Sequence, residues 1–179
     1  MPKRQMEVLT MVSALLLLLM MGAVHAYAAP EHKTFSLIAF GLMVCAMSLT
    51  GTVHFVELTA LRQLGTAGIA WPSVPYAVEL LAWNLLLGLS LLFASRVFER
   101  DGRAVRVRHS LTVCGALCLG GTIGPAVGDM RLQFIGGTIG PAVGDMRLQF
   151  IGVFGYAVAL PAAMNITAIQ YVEAAALRN

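Results

Sequence analysis

Five apolar stretches, each close to the length that crosses a bilayer, take up most of this chain and leave little sequence for anything else. A transmembrane helix needs about 20 apolar residues. The stretches run over 8–29, 34–58, 74–98, 110–127 and 150–172. Inside lipid the backbone must satisfy its own hydrogen bonds, so each is read as a helix. Of 179 residues, 58% are hydrophobic and 12% charged, the charged share being about half that of a soluble domain. A soluble core of this size has nowhere to hide so much apolar surface. The expected fold class is therefore all-α: a polytopic transmembrane helix bundle with a four-helix core and an N-terminal apolar helix. The expected divisions are 1–33, 34–172 and a short tail at 173–179.

Charge supplies the orientation. Twelve Lys and Arg face nine acids, a net charge of +3. The basic residues lie between apolar runs, without interleaved aromatics or a glycine-rich phosphate loop, which points away from nucleic acid and towards the positive-inside rule. Arg96, Arg100, Arg103, Arg106 and Arg108 crowd the segment 96–109, the most polar of the chain, which is expected to lie in water on the cytoplasmic side. Lys33 then also faces the cytoplasm, and the link 61–75, with Gly65, Gly68, Trp71, Pro72 and Pro75, faces out. The first stretch conflicts with this. Lys3 and Arg4 precede it and Ala26-Tyr27-Ala28 follows its core, the layout of a secretory signal peptide, although the apolar run is long for one. Retained as a helix, it puts Lys3 and Arg4 outside. Cleaved, it inverts the arginine segment. The larger basic cluster decides, and the retained helix is the reading adopted.

Residues 121–136 read GTIGPAVGDMRLQFIG, and residues 137–152 repeat the same sixteen letters. Solenoid repeats are longer and more numerous, so this is a single tandem duplication. The fourth stretch needs Gly121 to Val127 of the first copy, and the fifth begins with Phe150 of the second. The surplus is then 129–144, a loop insertion with an apolar part too short to span. Lengthening a loop costs only about 0.6 kcal/mol per doubling, so excision of 129–144 is expected to be neutral or slightly stabilising.

Topology collects polar residues at one end of the bundle: His54, Glu57, Trp71, Tyr76, Glu79, Asp129, Arg131, Asp145 and Arg147. Thr50, His54 and Glu57 share one helical stripe, and Tyr76, Glu79 and Trp83 share another. Ionisable groups within spans are costly and by default raise a functional hypothesis. The plainer reading is that groups near a helix end reach water or headgroups, and that one Glu–His hydrogen bond satisfies both partners. The sharper reading is a shared ligand-binding pocket of His54, Glu57, Glu79, Tyr76, Trp83, Asp129 and Asp145. In it His54, Glu57 and Glu79 hold a divalent metal or shuttle a proton, since an imidazole, ordinarily titrating at about pH 6.5, is poised near neutrality. His-x-x-Glu is not a specific metal motif, and no cofactor is identified from sequence.

Other features are weaker. Cys45, Cys114 and Cys118 lack redox spacing and read as packing. Asn165-Ile166-Thr167 is a glycosylation sequon inside an apolar stretch and is discounted. Gly120-x-x-x-Gly124 and Gly124-x-x-x-Gly128 permit close helix approach within the bundle or in a homodimer. Asn84, Pro161 and Asn165 are the residues a broken-helix transporter site would use.

The segments HFVEL (54–58), WPSVPYA (71–77) and GPAVGD (124–129) resemble a group of small bacterial multi-pass membrane proteins generally described as uncharacterised. The resemblance covers 35–161 with one copy of the repeat, and it implies a bacterial cytoplasmic membrane and no activity. Three functions stay open: binding or transport of an ion or small molecule at an extracytoplasmic polar site, a structural or accessory subunit of a membrane complex, and a lipid-modifying membrane enzyme. No nucleophile or complete catalytic motif supports the third. The partners expected are the lipid bilayer and a homo-oligomer or membrane-complex subunit, not nucleic acid.

Overall fold

A computed structural model of the chain describes residues 3–65, 72–99 and 104–127, and these are almost entirely helical. The fifth stretch, the second copy of the repeat and the surplus 129–144 lie outside the described residues, as do Trp71, Asp129, Arg131, Asp145 and Arg147.

The first helix, α1, spans Lys3–Tyr27. It ends where Pro30 opens a 3-10 turn, Pro30–His32, because proline cannot continue the α-helical ladder. The Lys33 ammonium caps the freed end, donating to the His25 carbonyl at 2.6 Å and the Ala26 carbonyl at 3.3 Å, which places a cation at the negative end of the helix dipole. The chain then reverses into α2, Lys33–Val56. A π-helical turn, Glu57–Leu61, extends α2, and Gly65, in the left-handed region at φ 64°, closes it.

The next rod begins at Ser73, whose hydroxyl accepts from the Tyr76 N–H at 3.3 Å, a helix N-cap. It consists of α3, Val74–Leu80, a second π-helical turn, Leu81–Leu86, and α4, Leu87–Ser95. After the arginine segment come α5, Ala104–Gly120, and the short α6, Ile123–Val127. Among the described residues, three helices are long and apolar enough to cross a membrane: Glu7–Tyr27 with 21 residues, Pro30–Leu61 with 32 and Val74–Ser95 with 22.

These spans match the second and third apolar stretches to within a few residues. The fourth differs. α5 starts at Ala104, six residues before the apolar run, so Arg106, Arg108 and His109 ride a helix rather than an aqueous loop. The cause is packing. Ala104, Val107, Leu111, Gly115 and Cys118 are all buried and recur at the three- and four-residue spacing of one helix face. The Arg108 guanidinium folds back to donate to the Phe98 carbonyl at 2.8 Å.

Helix α2 is central. Its stripe Ser36, Ala39, Met43, Ala46, Thr50 and Val53 is buried, and it packs against α1 on one side and α4 on the other. Ala14, Leu17, Met21 and Val24 form the matching stripe of α1. The Ser90 hydroxyl donates to the Ala39 carbonyl at 2.7 Å and pins α4 to α2. α4 and α5 meet where Gly88 faces Gly115: a Cβ on Gly115 would stand 2.7 Å from the Gly88 oxygen. The faces turned outward are as apolar as those turned inward, with Leu15, Leu16, Leu19, Leu37, Ile38, Phe55 and Val113 exposed. Cys118 packs in the core as expected, but Cys45 is on an outward face.

Candidate functional site

α1 and α2 form an antiparallel hairpin about Pro30. Glu7 precedes that turn by 23 residues and His54 follows it by 24, so the two stand level at the far end of the hairpin. His54 Nδ1 is hydrogen-bonded to Glu7 Oε2. On the other side of the ring, His54 Nε2 lies 3.6 Å from Glu79 Oε2. The same Glu79 oxygen accepts the indole N–H of Trp83 at 2.7 Å. The result is a continuous chain, Glu7–His54–Glu79–Trp83, drawn from three successive rods.

The side chains of His54, Glu7 and Glu79 are only 12%, 16% and 14% exposed. Their charges are poorly hydrated, so hydrogen-bond donors and acceptors must balance locally. Carboxylates only accept, and a neutral imidazole has a single N–H donor. Two carboxylates on the two ring nitrogens therefore require one proton more than a neutral ring supplies. With that proton the trio carries a net charge of −1, and without it −2.

Of the residues expected from sequence, His54 and Glu79 do converge, and Trp83 joins them through Glu79. Tyr76 lies one turn before Glu79, and its N–H engages the Ser73 cap. Glu57 does not join: its Oε2 is buried without a hydrogen-bond partner among the described residues. The i, i+3 spacing from His54 puts Glu57 on a similar face, but the ring is taken by carboxylates from neighbouring rods. Thr50 is fully buried, and its hydroxyl, like Glu79 Oε1 and Asn84 Nδ2, has no hydrogen-bond partner among the described residues. Asp129 and Asp145 lie outside those residues.

Glu7 is the member that the sequence reading passes over. It stands one residue ahead of the first apolar stretch as drawn, outside the end of the bundle where the sequence reading collected polar residues. Its signal is the nearly equal distance of Glu7 and His54 from Pro30, visible once α1 and α2 are taken as a hairpin. Among the described residues no three His, Cys, Asp or Glu side chains form a metal-holding group. The reason is geometric: Glu7 and Glu79 face opposite nitrogens of one ring, so no single point lies within ligand reach of all three. Comparison of the chain with protein-family models, curated proteins and solved structures finds no match.

Proposed function

We propose that this chain is a multi-pass integral membrane protein of the bacterial cytoplasmic membrane that binds and releases a cation at the Glu7–His54–Glu79 cluster, near the extracytoplasmic end of its helices. The proton is the cation the chemistry favours. The observation that carries this reading is an imidazole with a carboxylate on each ring nitrogen, held by three membrane-length rods. Such a site gains and loses one proton with little rearrangement, and intramembrane His and carboxylate chains are the usual material of proton relays. The membrane reading draws support from helices that are apolar on all faces, the pattern of a span rather than of a surface helix. It extends to the four-helix core and to retention of α1, which contributes Glu7 and a buried stripe.

A second reading is favoured by one observation. His54 on α2 meets Glu7 of α1 and Glu79 of the Val74–Ser95 rod, so the cluster doubles as a tie between rods, as an accessory subunit of a membrane complex would need. The test is proton flux in liposomes loaded with a pH-sensitive dye, driven by a potassium diffusion potential. The full chain is expected to carry flux, His54→Asn and Glu79→Gln to lose it at least tenfold, and Glu57→Gln to retain it. An inactive full chain whose thermal midpoint falls in the same variants overturns the proton reading in favour of the structural tie.

A further inference from the structure

Both π-helical turns sit beside the polar cluster. Glu57–Leu61 begins three residues after His54, and Leu81–Leu86 begins two residues after Glu79 and contains Trp83. A π turn carries one residue more than the α spacing and occurs preferentially at functional sites. One extra residue turns everything on one side of it by about 100° relative to the other, given 3.6 residues per turn. The question in the Val74–Ser95 rod is which side is free to turn.

The C-terminal side is fixed. Gly88 and Gly115 leave no room for a methyl group between their backbones. Ser90 is pinned to Ala39, and Leu87, Leu91 and Ala94 are buried. The N-terminal side, Val74–Leu80, has no fully buried residue. On this side Glu79 approaches His54 of α2, and Trp83, within the π turn, braces that carboxylate. Removing the extra residue from the π turn would leave α4 where it is and rotate Val74–Leu80, carrying Glu79 off His54.

We infer that the π turn Leu81–Leu86 is a register switch that holds Glu79 on His54 and opens the cluster when Val74–Leu80 rotates into α register. In the closed register Glu79 faces the ring. In the open register the ring keeps Glu7 alone, and Glu79 turns towards the outer surface of the rod. This stands on the packing and holds whether or not the cluster moves a proton, which the flux assay tests separately.

The test is a spin-label distance measurement between Ala77→Cys, on the turning side, and Thr52→Cys, on the fixed part of α2. Both positions are exposed, and Cys45, Cys114 and Cys118 are replaced by alanine. A helix about 10–12 Å across turned by about 100° displaces a surface label by up to about 8 Å. The otherwise native chain should show one dominant distance. Deletion of Leu85, which is outward-facing, should give the displaced distance. Glu79→Ala in the full-length chain should populate both. A deletion variant that keeps the native distance, or a Glu79→Ala distribution identical to native, overturns the inference. Should the deletion variant fail to fold, the Glu79→Ala result decides alone.

Discussion

At the scale of single residues, the cluster sets two glutamates of equal chemistry in contrast. Glu79 is held by His54 and Trp83, whereas the buried oxygen of Glu57 has no hydrogen-bond partner among the described residues. Removing one partner of a buried ionic pair leaves the other uncompensated and typically costs about 3–5 kcal/mol. His54→Ala strands two carboxylates at once and should destabilise the protein by about that amount. Adding Glu7→Gln and Glu79→Gln should recover a large part of the loss. Glu57→Gln, which neutralises a carboxylate without disrupting a pair, should leave stability unchanged or slightly higher. Thermal unfolding in detergent, followed by circular dichroism, measures all three, and a Glu57→Gln loss equal to that of His54→Ala would contradict this division of roles. His54 and Glu79 were legible because topology alone places them at the same end of adjacent rods. Glu57 misled because spacing along one helix says where a residue points, not which neighbour has taken its partner first.

At the scale of elements, apolar length gave the described rods closely, and its failures have physical causes. α5 begins inside the arginine segment because its buried stripe starts at Ala104, and arginine can extend its polar head away while its stem covers apolar surface. Neither π turn could be read, because no residue pattern distinguishes one extra residue per turn from ordinary α periodicity. The tight packing of α4 on α5 depends on two glycines 27 positions apart, which no local motif links. It gives a direct prediction. In Gly115→Ala the new methyl group meets the backbone oxygen of Gly88 and the Leu92 side chain, and a backbone oxygen cannot move without shifting α4. Overpacking of this kind costs about 1–3 kcal/mol. Gly88→Ala should cost less, because its contacts begin at 3.0 Å rather than 2.7 Å. Reversal of that order in unfolding measurements would show that the two rods are not held at this contact.

At the scale of the whole molecule, the hairpin sets up an electrostatic disagreement that experiment can resolve. Because α1 runs antiparallel to α2, Lys3 and Arg4 stand at the same end as Glu7 and His54. Arg96 and the start of α5 belong to the other end, where Tyr27 stacks on Phe98 with ring centroids 5.7 Å apart. The positive-inside rule thus pulls in both directions, with Lys3, Arg4 and Arg62 at one end and Lys33 with five arginines in 96–109 at the other. Orientation follows the larger bias within reach of the spans, so the arginine end should be cytoplasmic and the Glu7–His54–Glu79 cluster should open towards the exterior. Two cysteine variants on a cysteine-free chain test this in intact cells with a membrane-impermeant thiol reagent. Leu64→Cys, at the exposed end of α2, should label readily. Gly102→Cys, in the arginine segment, should label only after the cells are permeabilised. The reverse pattern would place the cluster on the cytoplasmic side. A proton taken up there would come from the cytoplasm, while the chemistry of the site stayed the same.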